Sequence, residues 1–346
     1  MSAAQGDKLE ARILDYLKSR LPAGRDFALS NVVRIAVGWS HETWLFDLSY
    51  RENGRNETRG MCLRRDPGNA LLRHLSNLDE QYRVLKCLEA TALPTPKVYW
   101  YEDDLAILDM PFLVMEKVAG SCPSPWGRDG RAYYQSAADR GVLPASFTST
   151  LATLHTLDWR AAGLDFLGVP AIGPAFALRE IAKWKELIAL SDAAPEPILT
   201  DLIAWLEANA PSSEHVSLVH GAYRTGNLLI DNDRISAVLD WELQVLGDPM
   251  YDVAYVLSDL NREGTPLLSN LVEREAFFRD YEKQTGFTID EKRCRYYNAL
   301  YAMRSVAFWM SASGLYASGR SDDIRLARTA WSVPVVLERA ATELGY

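Results

Sequence analysis

Long apolar runs are missing from this sequence. No stretch approaches the roughly 20 residues needed to cross a bilayer, and the N-terminal MSAAQGDKLEARILDYLK alternates charges where a signal peptide would carry an apolar core. Both absences predict a chain that stays off the membrane, in the cytoplasm. Cysteine is scarce as well: Cys62, Cys87, Cys122 and Cys294 lie far apart and form no CxxC pair, so neither a zinc cluster nor a disulfide framework is expected. Positive charge is in deficit, 37 Lys and Arg against 46 Asp and Glu, for a formal net charge of -9. That balance argues against nucleic acid as a partner, because phosphate backbones need clustered cations. Repeats and low-complexity segments are also lacking, and no feature sets an oligomeric state.

What is present suffices for two modest lobes: 346 residues, 48% of them hydrophobic. A helix is predicted over 7–21, where Leu9, Ile13, Tyr16 and Leu17 form one stripe before Pro22 and Gly24 end it. The period then changes to two. Trp44, Phe46, Leu48 and Tyr50 alternate with polar neighbours, and strands are expected over 31–37, 43–50 and 60–65. Gly38-Trp39-Ser40-His41 connects the first pair, and the polar stretch 51–59 reads as the second turn. A helix follows, with Ser76 to Asp79 as a capping box and Leu78, Leu85 and Leu88 at helical spacing. Strands over 97–101 and 112–118 complete the first lobe, residues 1–118. Residues 119–346 read as mostly helical, with patterns at 178–190 and 200–210.

The chemistry concentrates in His220-Gly221-Ala222-Tyr223-Arg224-Thr225-Gly226-Asn227 and in Leu239-Asp240-Trp241-Glu242. A kinase catalytic loop places an Asp two residues after a His, and an Asn five residues after that Asp. His220, position 222 and Asn227 keep this spacing, and Asp240 ends the next apolar run. Phosphoryl transfer needs hard oxygen ligands for Mg²⁺ and neutralised phosphate charge, not covalent help. Asn227 and Asp240 offer the oxygens, and Arg224 a cation for the moving group.

Taken with Gly247-Asp248-Pro249 and Asp252, these motifs resemble the aminoglycoside-phosphotransferase/choline-kinase family. The nearest branch is similar to the phosphotransferase domain associated with acyl-CoA dehydrogenases. Leu63-Arg64-Arg65-Asp66-Pro67-Gly68, Met115-Glu116-Lys117-Val118 and Leu154-His155-Thr156-Leu157-Asp158-Trp159 match in the family's order. The resemblance implies an α+β, two-lobed protein-kinase-like fold, with a small antiparallel-sheet N-lobe and a larger helical C-lobe. It implies an ATP-dependent kinase, with GTP as the alternative nucleotide and Mg²⁺ held by Asn227 and Asp240. Gly38, Ser40 and His41 would cover the phosphates, and Arg64 would touch them. Met115, Glu116 and Val118 would border the adenine. The acceptor would be the hydroxyl of a small molecule, hydroxyacyl or otherwise catabolic, with an antibiotic of the aminoglycoside type as runner-up.

Three departures stand out. Ala222 occupies the position of the catalytic base, an Asp in the family, and alanine cannot accept a proton. Either this is an engineered change in an active kinase, the reading favoured by the survival of Asn227 and Asp240, or the protein is a naturally inactive nucleotide-binding pseudokinase. Binding of a ligand without nucleotide is a third reading. Arg64 replaces a Lys, and its partner acid is replaced by Gln81, with Glu80 one residue off; either residue is a candidate partner. His220 and His155 are read as structural, Asp248 and Asp252 as braces or caps. Glu242 is read as a metal-shell residue or an ion pair. Tyr296, Trp309, Tyr316 and Trp331 are candidates for acceptor wall or core.

Overall fold

The computed structural model describes residues 3–35, 41–66, 77–191, 196–262 and 264–344. The chain divides into two compact units, residues 1–89 with 95–119, and residues 90–94 with 120–346.

In the first unit, helix α1 (Ala3–Arg20) precedes strands β1 (Arg25–Ile35), β2 (Glu42–Glu52) and β3 (Arg55–Arg65). Helix α2 (Leu78–Leu88), β4 (Val98–Glu102), the one-turn α3 (Leu105–Leu108) and β5 (Phe112–Glu116) follow. All pairings are antiparallel, in the order β1-β2-β3-β5-β4. Period two puts Trp44, Phe46, Leu48 and Tyr50 on one face of β2. There they meet Met61, Leu63, Phe112 and Val114 and the Leu9-Ile13-Tyr16-Leu17 stripe of α1 in one buried cluster.

Two local readings need correction. The second turn is not 51–59 but the pair Asn53-Gly54, both left-handed at φ 53° and 79°, with β2 and β3 paired up to Glu52↔Arg55. Asn-Gly is the favoured pair for such a type I′ hairpin, because its twist matches that of the strands. The α2 cap is Asn77, whose side chain accepts the Glu80 N–H at 2.6 Å; Ser76 lies outside the described residues.

The second unit carries helices α4 (Arg128–Arg140), α5 (Val142–His155), α6 (Ala175–Leu190) and α7 (Pro197–Ala208). Short strands β6 (Ser217–Val219), β7 (Leu228–Asp231), β8 (Arg234–Val238) and β9 (Val245–Gly247) come next. Then follow α8 (Met250–Leu257), α9 (Arg274–Thr285), α10 (Glu291–Ala317), α11 (Ile324–Arg328) and α12 (Ser332–Leu344). Helix α10, 27 residues long, packs against α6, α7, α8, α11 and α12. It buries Tyr297, Leu300, Tyr301, Met303, Val306 and Ala307, as a helix enclosed on several sides must. Among the described residues no disulfide forms and no helix is long and apolar enough to cross a membrane.

Leu17 is fully buried where α1 meets the sheet. Leu17→Ala is expected to lower stability by about 2–4 kcal/mol in urea melts; a loss below about 1 kcal/mol contradicts the docking of α1 as a core contact.

Candidate active site

The centre of the second unit is a loop hung between two strand pairs. β6 pairs with β9 and β7 with β8, so residues 220–227 and 239–242 leave neighbouring strand ends. One carboxylate fixes the first turn: Asp252, on α8 and fully buried, accepts the backbone N–H of His220 at 2.7 Å and of Gly221 at 2.8 Å. His155 Nε2 donates to the same carboxylate at 3.3 Å, and His155 Nδ1 meets the Tyr281 hydroxyl at 2.7 Å. Gly221 needs its left-handed φ of 79°, and a Cβ there would lie 2.5 Å from the Leu243 carbonyl oxygen.

His220 completes the brace. Its Nε2 donates to the Leu239 carbonyl at 2.7 Å, because a carbonyl can only accept. Nδ1 is then the acceptor for the Ala222 N–H at 3.2 Å, which fixes a neutral ring. Burial pushes the His220 pKa below its ordinary value, in agreement. The imidazole therefore pins two segments and leaves no nitrogen for proton transfer.

Around it the motif residues fall into place. Ala222, 6% exposed, has its carbonyl held by Asn227 Nδ2 at 2.9 Å, which leaves Asn227 Oδ1 directed away from that carbonyl. Leu239 N–H donates to the Asn227 carbonyl at 2.9 Å, so Asp240 follows one residue beyond. Asp240 has φ 67°, a conformation Asp tolerates better than most side chains. Trp241 anchors the turn by donating to the Val238 carbonyl at 2.9 Å and by an edge contact with His220. Arg224 does something different: its guanidinium lies over the Trp126 ring at 4.9 Å, and its Nη1 is buried with no hydrogen-bond partner.

Asp248 and Asp252 separate in role. Asp248 caps α8 through the Met250 N–H at 2.9 Å and takes the Tyr297 hydroxyl at 3.0 Å, with burial pushing its pKa up. Only Asp252 touches the loop. Glu242 is buried. Tyr296 is core, stacked on Trp205 with its hydroxyl on the Leu206 carbonyl, whereas Trp331 is 81% exposed and walls nothing. Trp309 and Tyr316 are half-buried.

In the first unit, Arg64 on β3 reaches Gln81 Oε1 at 3.4 Å and His41 Nδ1 at 3.2 Å. Gln81, fully buried on the inner stripe of α2, is therefore one partner of the cation. Arg65 beside Arg64 pairs with Glu42 at 2.6 Å. Met115 is buried in β5, and the Glu116 N–H is committed to the Lys97 carbonyl at 2.8 Å. Val118 follows the strand as partly buried coil. Gly38 and Ser40 lie outside the described residues.

The profile of the APH phosphotransferase enzyme family matches residues 31–293. The chain belongs to this family. Acyl-CoA dehydrogenase family member 11 of Rattus norvegicus is 31% identical over 255 residues, covering 72% of this chain and 31% of its own length. Member 10 of Mus musculus is 30% identical over 238 residues, covering 66% and 22%. The chain therefore spans about a third or less of these curated relatives. A stretch of 58 residues, 17% of this chain and 16% of the relative, is 41% identical to hygromycin-B 4-O-kinase of Escherichia coli. Among solved structures, a Ralstonia eutropha protein assigned to the aminoglycoside phosphotransferases superposes with TM-score 0.70 at 24% identity, covering 95% of this chain and 97% of that one. The GDP complex of aminoglycoside 2'-phosphotransferase-IIIa gives 0.61 at 17%, covering 97% and 98%. The fold is the kinase-like α+β fold of aminoglycoside phosphotransferases.

One residue escaped the motif reading. Arg304, on α10, donates through Nη1 to the Gly221 carbonyl. The only sequence signal was its place three residues after Tyr301 on the buried stripe.

The brace gives two expectations for this chain. Asp252→Ala orphans two buried N–H groups and should cost about 3 kcal/mol or more in chemical denaturation; a cost under about 1 kcal/mol contradicts the bracing role. His220 has a folded pKa below its unfolded value of about 6.5. The unfolded chain binds the extra proton, so this contribution is full above that value and is lost as pH falls below it. Stability measured from pH 7.5 to 5 should fall less steeply in His220→Gln than in the parent; equal slopes contradict the neutral, buried ring.

Proposed function

We propose that this phosphotransferase is a small-molecule kinase that binds Mg-ATP and moves the γ-phosphoryl group to an acceptor hydroxyl, and that Ala222 deprives it of its general base. The observation that carries this reading is a catalytic loop whose supports all survive around the alanine. Residue 222 has its N–H on His220 and its carbonyl on Asn227. A loop released from selection for chemistry has no reason to keep a carboxylate brace, a pinned imidazole and a left-handed Asp240 together.

The donor set suits the metal. Asn227 Oδ1 and the Asp240 carboxylate are hard oxygens, and they would hold Mg²⁺, which takes one or two protein oxygens plus phosphates and water. Among the described residues no group of three or more His, Cys, Asp or Glu is placed to cage an ion. When bound, Mg²⁺ would neutralise phosphate charge. Arg224 Nη1, buried without a partner, is a donor in want of an acceptor, and a phosphoryl oxygen supplies one. Arg64, held beside Gln81 and His41, is proposed to touch the nucleotide phosphates. His41, Met115, Glu116 and Val118 are proposed for the nucleotide alongside it. The Glu116 N–H is already spent on Lys97, so adenine would be met at this strand end by other backbone groups.

A hydroxyl on a catabolic small molecule is the preferred acceptor, supported by the acyl-CoA dehydrogenase relatives. The short match to hygromycin-B 4-O-kinase supports the antibiotic alternative over only 17% of the chain. The test is Ala222→Asp. General-base help is worth about 10²–10⁴ in rate, so the substituted chain should consume ATP with Mg²⁺ and one acceptor at least about a hundredfold faster. The panel is hydroxy acids, hydroxyacyl thioesters and aminoglycosides. No gain with any of them, with Mg-ATP binding intact, would turn the assignment to a pseudokinase.

A further inference from the structure

Arg304 is a cation with an unusual setting. Its guanidinium lies over the rings of Tyr301 at 4.7 Å, Tyr255 at 5.3 Å and Trp184 at 5.7 Å, supplied by α10, α8 and α6. Nη1 is used on the carbonyl of Gly221, the peptide that leads into residue 222. Among the described residues no carboxylate lies within ion-pair distance of it. Glu180, one turn before Trp184 on α6, is 2% exposed and likewise makes no ion pair among them. A guanidinium has five N–H donors; the Gly221 carbonyl takes one, and the Tyr251 hydroxyl lies close enough to take a second. Trp184, 1% exposed beneath the guanidinium, buries a second donor: its Nε1 has no acceptor. Holding a peptide carbonyl requires only one neutral donor. A whole guanidinium with no carboxylate at ion-pair distance among the described residues, set over three aromatic faces, is the group that binds planar oxyanions in a fork.

We propose that Arg304 is the acceptor-binding cation of this transferase, and that its acceptor is an alcohol carrying a carboxylate or phosphate. The proposal rests on the kinase reading above and names the acceptor class for the same site. An oxyanion held on Arg304 brings its own hydroxyl to the neighbourhood of residue 222, where the base belongs. A polycation is disfavoured there, because its ammonium groups would face a like charge in a poorly screened site. This separates the chain from antibiotic kinases on chemistry of its own.

Two measurements test it. On the present chain, calorimetry with lactate, glycerol phosphate, neutral lactamide and cationic isopropanolamine reads binding without turnover. At least one anion should bind about tenfold or more tightly than lactamide, and Arg304→Met should abolish the difference while Arg304→Lys retains part of it. Which of the two anions binds identifies the carboxylate or the phosphate as the recognised group. In the Ala222→Asp chain, Arg304→Met should raise the KM for that anion about tenfold while the KM for ATP stays within about twofold. If Arg304→Met slows ATP hydrolysis and every acceptor alike, the residue only struts the loop and the proposal falls. Preference for isopropanolamine, or charge discrimination untouched by Arg304→Met, overturns it as well. Arg304-dependent anion binding without any kinase activity in Ala222→Asp would sink the kinase reading and leave the anion site standing.

Discussion

The Asp252 carboxylate is the point on which the site depends. It faces no solvent, and it spends its oxygens on two consecutive backbone N–H groups of the loop and on His155. Backbone N–H groups in a tight left-handed turn have no strand or helix to satisfy them, so an acceptor must come from elsewhere. Helix α8 supplies it. Once His220 and Gly221 are fixed, His220 reaches Leu239, Ala222 reaches His220, and Asn227 reaches Ala222. The chain of bonds continues to Leu239 and delivers Asp240 beside it. A scaffold of this kind holds position 222 whatever side chain it carries, so an alanine there leaves the geometry of the loop in place.

That separation bears on mechanism. Phosphoryl transfer draws most of its acceleration from positioning and charge neutralisation, with a smaller share from the base. The groups proposed for the larger share, Asn227, Asp240, Arg224 and Arg64, are all retained. Arg224 illustrates how the protein stores such a group: a guanidinium parked over Trp126 with one buried nitrogen unsatisfied. An unsatisfied buried donor costs about 1–3 kcal/mol, and a phosphate oxygen would repay it.

Much of the fold was legible because period and punctuation agreed. The α1 stripe, its Pro22–Gly24 stop and the alternation in β2 each point to one answer, and the sheet and its helix follow them. The Asn53-Gly54 turn was also written in the sequence, but the surrounding polar residues drew attention away from the one pair with turn chemistry. Helix α3, a single turn, is too short to show a period. In the site, the motif located Ala222, Asn227 and Asp240 by spacing alone. Gln81 was ambiguous, since only the helical phase of α2, with Leu78, Leu85 and Leu88 on one face, decides that it turns inward and Glu80 does not. Asp252 and Asp248 carry the same side chain four residues apart, and only packing separates brace from cap. Arg304 gave no motif signal, because it reaches the loop across 83 residues of sequence.

The central claim is that nucleotide and metal positioning outlive the lost base. Calorimetry of ATP binding to the present chain, with and without Mg²⁺, and repeated on Asp240→Asn, tests it most directly. The account predicts Mg-dependent binding that weakens about tenfold or more when the Asp240 charge is removed. Affinity that ignores both Mg²⁺ and the substitution, or no ATP binding at all, would contradict it.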